Sequence, residues 1–327
     1  MSKTKKYLVL DCETATLPFA NEIAKNAKQK QKIAIAKPLI YDIGWKIVDR
    51  SGNVYAEKSY LISEIFSVPA VFNTGYYADK RPLYLEKLSK GLITLTDWKT
   101  ATSDLINDLE DCYAVGAFNS MFDFKKAIPF TERYINALYS KYYYAWEQRQ
   151  YDNCVNIVSA PYVKDDNKDF EKDIFVFRDK EYNLFDIWGL ACKSLINTKK
   201  YKLNCLKNNL VSASGEFFKT SAEVTFRYLT QDYDFIESHT AFEDADIESD
   251  ILIKLLSKGK IEMGIIYFPF RELGTTTSFI QNNKVPKDCI NNLIEFLKDR
   301  MENEDLTIRQ ENKIETQLNF LNSFLLV

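Results

Sequence analysis

Histidine is nearly missing from this chain: His239 is the only one in 327 residues. The six cysteines, at 12, 112, 154, 192, 205 and 289, are scattered and never form a C-x-x-C pair. Structural zinc sites need several thiolates or imidazoles at short spacing, so these two scarcities argue against one. The same scatter reads as reduced thiols in a cytoplasmic protein. Long apolar runs are missing too. Lys3, Lys5 and Lys6 are followed by only four apolar residues, so neither a secretory leader nor a membrane span is expected. There is no excess of positive charge either. The net charge of −3 excludes a polycation that coats nucleic acid, and any such role has to come from local patches or bound metal. What is present is ordinary globular composition, 46% hydrophobic and 27% charged, long enough for one sizeable core and a second small unit.

The lone histidine stands five residues before Asp244. Asp244 opens an apolar stripe, Ile247, Ile251, Leu252 and Leu255, with the period of a helix packed on a core. An aspartate leading the inward face is costly unless a cation or a donor neutralises it. A second acidic site follows the short apolar run Tyr7–Leu10, which suits a strand buried on both faces. Asp11 and Glu13 lie at i and i+2 and so share one face at the carboxyl end of that strand. Like charges this close raise one another's pKa unless a metal ion sits between them. A third site follows the strand expected over Tyr113–Ala117. There Asn119 is a good helix N-cap, and Asp123 lies one turn later on the same face.

Between these sites the patterning is mixed. Residues 21–37 hold Lys25, Lys28, Lys30, Lys32 and Lys37 against Glu22 alone, which fits a solvated surface helix or a phosphate-attracting rim. Ile40–Asp49 and Val54–Ile62 flank a Ser51-Gly52-Asn53 turn and read as a β-hairpin. Residues 63–98 read as irregular, and Thr102–Leu109 as a helix. Phe130, Tyr134, Leu138, Tyr142 and Trp146 recur at i+4 as a packing stripe on one helix. Residues 150–182 read as an insertion, with Val155–Val163 and Ile174–Phe177 pairing as strands around the charged tip 164–172. The core pattern resumes at Leu184–Trp188. Residues 193–207 carry five lysines, 193, 199, 200, 202 and 207, and no acid, a second candidate for contacting a phosphate backbone. Tyr228 and Asp232 form a Tyr-x3-Asp pair that competes with His239 and Asp244. The histidine pair is preferred, because a neutral imidazole is a competent base near pH 7 and a phenol is not.

Asp11, Glu13, Asp123 and Asp244 are oxygen donors of the kind that hold Mg²⁺ or Mn²⁺. Two such ions, roughly 3.5–4 Å apart, clamp both oxygens of an in-line phosphoryl displacement. His239 is then placed to take the proton of the attacking water. With Asp11-x-Glu13-Thr14, Asn119-x-x-Phe122-Asp123 and His239-x-Ala241-x-x-Asp244-Ala245 in this order, the chain resembles the DEDDh 3′→5′ exonucleases, the family of the bacterial proofreading subunit. Weaker echoes lie at Ile43-Gly44, at Asp186 and at Leu203-x-x-Leu206.

The resemblance implies an α/β, ribonuclease H-like fold with a mixed five-stranded sheet flanked by helices, over about residues 6–258. It implies that Asp11 bridges two metals, that Glu13 and Asp244 complete the nucleophile-side site, that Asp123 holds the other ion, and that His239 is the general base. Thr14, Ala15 and Leu17 lie where relatives grip the terminal nucleotide, with Asn119, Phe122, Lys199, Lys200 and Lys202 as further candidate substrate contacts. Thr14-Ala15-Thr16-Leu17-Pro18 departs from relatives that carry a glycine here. The long gap before the hairpin and the 150–182 insertion are further departures, and all three bear on substrate preference.

The expected function is hydrolysis of single-stranded DNA from 3′ ends to nucleoside 5′-monophosphates. Two alternatives are an exoribonuclease acting on RNA and a non-catalytic module that binds ends or recruits a partner. Any proofreading role would need a separate polymerase. The expected domains are residues 1–262 and a helical extension over 263–327. That extension carries the apolar Ile265–Phe270 segment and two amphipathic helices, at 287–302 and 304–325.

Overall fold

A computed structural model gives the fold, and it describes residues 4–159, 174–259, 263–265 and 268–325. The strands are β1 (Lys6–Ala15), β2 (Leu39–Asp49), β3 (Val54–Ile62), β4 (Thr94–Thr96), β5 (Ala114–Ala117), β6 (Ile174–Phe177) and β7 (Lys180–Asp186). They form one mixed sheet in the order β4-β3-β2-β1-β5-β7-β6, so the architecture is α/β with helices flanking a seven-stranded sheet. The expected five strands fall two short. The additions are the edge strands β4, only three residues long, and β6, which pairs antiparallel with β7. The proposed partner of β6 is not a strand, since Tyr143–Ser159 is helical, while residues 160–163 and the tip 164–172 lie outside the described residues.

Contacts divide the chain into two compact units, Met1–Ile187 with Glu237–Tyr267, and Trp188–Ile236 with Phe268–Val327. This differs from a single break near residue 262, because residues 188–236 group with the C-terminal helices.

In the first unit the sheet owes its shape to β1. It pairs antiparallel with β2 along its whole length, Lys6 opposite Asp49 through Ala15 opposite Leu39. Its parallel pairing with β5 stops at Val9 opposite Gly116. β1 therefore runs on past the carboxyl end of β5, and Asp11 and Glu13 lie on this overhang rather than at the strand's end.

Alternation along the hairpin assigns the two faces. Asp11 stands opposite Gly44 and Glu13 opposite Asp42, so all four share the face on which helix Ala241–Lys258 packs. On the other face, Trp45 Nε1 donates to Asp108 Oδ2 at 2.8 Å and Tyr60 OH to Asp104 Oδ2 at 2.6 Å. These bonds fix helix Trp98–Leu109, whose first turn is capped by Asp97 accepting from Thr100 N at 2.7 Å. Trp45, Trp98, Tyr41 and Tyr84 are fully buried large side chains of this unit. Burying an aliphatic or phenyl side chain contributes about 1.5–3 kcal/mol, and rings of this size add at least as much.

Segment 63–98 is not irregular: it holds short helices at Ser63–Phe66, Pro69–Phe72 and Arg81–Ser89. The aromatic stripe is split between helices Ile128–Leu138 and Tyr143–Ser159, leaving Tyr142 exposed in the connection.

Gly44 fits its place because there is no room for anything larger. A Cβ there would lie 2.4 Å from the backbone N and Cα of Phe242. Backbone cannot step aside as a flexible side chain does, so Gly44→Val should push helix Ala241–Lys258 off the sheet. The expected cost is about 1–3 kcal/mol or more, read as a lower denaturation midpoint.

In the second unit, helices Lys199–Lys207, Ala222–Thr230, Lys287–Asn303 and Ile308–Leu325 are the main elements. Cys205, Leu206, Leu293, Leu297, Ile314 and Leu321 are buried there. The two C-terminal helices match their expected spans within a few residues. All six cysteines are free. No helix among the described residues is long and apolar enough to cross a membrane.

Candidate metal centre

The site is built from the overhang of β1 and the start of helix Ala241–Lys258. That helix has no side-chain cap of its own, since its N-cap Thr240 makes none. Asp42, on β2, supplies the missing acceptor: Ala241 N donates to Asp42 Oδ2 at 2.9 Å. A carboxylate here also favours the positive end of the helix dipole. The cap fixes the helix start opposite Glu13 and carries Asp244 and His239 to the overhang. Glu13, His239 and Asp244 each offer a ligand atom, and these atoms lie within 4.8 Å of one another. His239 Nδ1 is 3.9 Å from Asp244 Oδ2 and 3.6 Å from Glu237 Oε2. The imidazole stacks on the Tyr77 ring, with centroids 4.5 Å apart and planes 11° from parallel. His239 takes a left-handed backbone, φ 53°, which turns the chain sharply into the helix.

Asp123 and Asp11 lie outside that tight trio but inside the same field. Asp123 is 3% exposed at the start of a π-helical turn, just beyond β5. Burial raises the carboxyl of Asp11 to about 8, with Glu237 and Asp42 adding like charge. Burial raises Asp244 to about 10, with Asp11 and then Glu237 as the next causes. Asp42 is pushed up to about 7, again by burial first. Glu13, Asp123 and Glu248 are held well above the ordinary carboxylate range by burial and then by the charge of Asp11.

These acids are mutually destabilising as anions, which is what a site for cations requires. Three buried oxygens, Oδ1 of Asp42, Asp123 and Asp244, have no hydrogen-bond partner among the described residues. Oxygen donors of this kind, with one imidazole and no thiolate, fit a hard divalent cation. The chain matches no family model, no curated protein and no solved structure at a level that would assign it to one.

Glu248, Lys80 and Lys87, which carry no motif, share the site, as does Asp186, one of the weaker echoes of the family pattern. Glu248, one turn beyond Asp244, is 3% exposed and accepts from Phe118 N at 2.9 Å. Asp186, at the end of β7, is 2% exposed and accepts from Asn119 N at 3.2 Å. Lys80 Nζ donates to Ser238 O at 2.6 Å and lies over the Tyr77 ring. Lys87 pairs with Glu243 at 2.5 Å. Both lysines come from segment 63–98 and tie down the turn that presents His239.

The substrate candidates fare unevenly. Thr14 and Phe122 are half-buried, and Asn119 is exposed. Asn119 stands at an N-cap position, but it is left-handed, φ 89°, and its side chain makes no capping bond. Ala15 and Leu17 are 2% and 1% exposed within the core, so their side chains have no surface to offer a nucleotide. Lys199 and Lys200 are exposed in the second unit. Lys202 is buried there, donating to Asn197 Oδ1 at 2.8 Å and Leu273 O at 2.7 Å, so its ammonium is committed to internal acceptors. The rival pair is also in the second unit, where Tyr228 lies in helix Ala222–Thr230 and Asp232 is exposed. In the lysine-rich stretch 21–37, helix Ala27–Ala36 leaves Lys28 and Lys30 exposed, while Lys37 Nζ donates to Gln150 Oε1 at 2.9 Å.

Proposed function

We propose that this chain is a divalent-metal-dependent 3′→5′ exonuclease of ribonuclease H-like fold that acts on single-stranded DNA ends and releases nucleoside 5′-monophosphates. One observation carries the reading. Acids from β1, from the turn after β5 and from helix Ala241–Lys258 lie close enough to raise one another's pKa, with the chain's only imidazole beside them. The central five strands, β3-β2-β1-β5-β7, support the fold assignment.

In the proposed reaction a water oxygen bonds to the terminal phosphorus as the bond to the 3′ oxygen of the penultimate nucleotide breaks. Bound Mg²⁺ or Mn²⁺ would make that water more acidic and offset charge on the phosphate. Asp11, Glu13 and Asp244 would hold the nucleophile-side ion, and Asp11 and Asp123 the other. His239 accepts the water's proton, with Tyr77 holding the ring plane and the neighbouring carboxylates stabilising the imidazolium.

The purified chain should shorten 5′-labelled single-stranded DNA from the 3′ end in Mg²⁺ or Mn²⁺ and leave it intact in EDTA. Matched RNA in the same assay separates a deoxyribonuclease from an exoribonuclease. Tight end binding with no turnover in either metal would overturn the reading in favour of a binding module.

A further inference from the structure

The second unit contains a cavity of about 370 Å³ whose lining, among the described residues, has no carboxylate. Arg300, Arg309 and Lys313 supply three cations, and Ser212, Ser214 and Gln310 supply neutral donors. Phe217, Leu306 and Ile314 give it an apolar side, with Phe217 42% exposed. Small-ligand sites typically have about this size and this mixture of a few convergent polar groups on an apolar wall.

The cations differ in how free they are. Arg300 is tied to Glu304 at 2.5 Å, and Lys313 to Glu216 at 3.2 Å across a half-exposed pair. An exposed pair of that kind contributes little and exchanges readily for a better anion. Arg309 is exposed and forms no ion pair or side-chain hydrogen bond among the described residues. The oxygen of the Gln310 side chain accepts from Thr307 N and Oγ1, at 2.9 and 2.6 Å, which leaves its amide hydrogens for another partner.

We propose that this cavity binds a phosphate group attached to an aromatic base. Arg309 and Lys313 would hold the phosphate, and Phe217 would stack on the base. A guanidinium matches phosphate oxygens in a bidentate fork, and a phenyl face stacks on any base. The shared chemistry fits a free nucleoside monophosphate or one residue of a strand. The proposal does not rest on the exonuclease reading.

Titration of the full-length Asp11→Asn variant, which removes the candidate metal ligand in the other unit, provides the test. Deoxyadenosine 5′-monophosphate, deoxyadenosine and a five-nucleotide oligodeoxyadenylate are titrated in turn by calorimetry in EDTA. The monophosphate should bind saturably and at least about tenfold more tightly than the nucleoside, and should weaken as salt rises. Arg309→Glu, at an exposed position that leaves folding intact, should weaken it about tenfold or more, and Phe217→Ala should weaken it less. An oligonucleotide bound much more tightly than the monophosphate identifies a strand as the source of the phosphate, and equal affinity identifies the free nucleotide. Two results would overturn the proposal: no saturable binding of either phosphate compound, or equal binding by Arg309→Glu.

Discussion

Asp11→Asn should lower exonuclease turnover by at least about 10³-fold, and His239→Ala by about 10²–10⁴-fold, the range for losing a general base. The two losses have different origins. Asp11 is the acid whose charge most raises Glu13, Asp123, Asp244 and Glu248 after burial itself. An amide there removes the shared charge that makes the cluster attractive to cations, so Mn²⁺ affinity should fall together with turnover. His239 contributes a proton acceptor held on Tyr77, so its removal should leave Mn²⁺ affinity within a few-fold of wild type and depress the chemical step. Single-turnover cleavage beside a Mn²⁺ titration separates the two. Full turnover in both variants would leave the proposed activity without a site.

The second large effect is on stability, and its sign follows from the raised carboxyl groups. An acid whose pKa is higher in the folded than in the unfolded chain binds more protons when folded, so folding stability falls as pH rises between the two values. For Asp42, Asp11 and Asp244 the folded values are about 7, 8 and 10, against 3.8 unfolded. The metal-free protein should therefore be most stable below about pH 4 as far as these groups decide it, and should weaken steadily from there toward pH 8 and above. Each unit of difference is worth about 1.4 kcal/mol, so even a fraction of these shifts makes the slope measurable. Saturating Mn²⁺ replaces the protons and should flatten the slope. Thermal denaturation in EDTA and in Mn²⁺ from pH 5 to 9 measures this, and parallel curves would show that the cluster does not hold the metal. Asp244→Asn should raise the EDTA midpoint at pH 8 while abolishing cleavage. Such a stabilisation at the expense of function is the usual signature of an active site.

Much of this site is legible in the sequence because buried acids leave a mark on apolar patterns. Asp11 and Glu13 interrupt the apolar pattern of β1, and Asp244 leads a helical stripe. Asp42 and Glu248 carry the same mark: one lies within an otherwise buried strand, the other on the inward face with Ile247 and Ile251. They are legible in retrospect as polar residues at core positions. Glu237 and Tyr77 have no such signal, because each reaches the site through a turn whose path depends on tertiary contacts. The edges of the sheet are hidden for a different reason. β4 has three residues, too few for alternation to register, and Val155, Ile157 and Val158 favour a strand locally but lie in a helix. Two of the helices of 63–98, Ser63–Phe66 and Pro69–Phe72, complete barely one turn each, so a 3.6-residue period has nothing to repeat over there.

The first unit is discontinuous: His239 and Asp244 return to it only after residues 188–236 have gone elsewhere. During synthesis on the ribosome, β1 is therefore made more than two hundred residues before the helix that completes its acidic overhang. Fragments that end before residue 237 would carry Asp11, Glu13 and Asp123 but neither Asp244 nor the imidazole. Under the proposed function, hydrolytic competence would then arrive late and all at once, a delay built into the order of the chain.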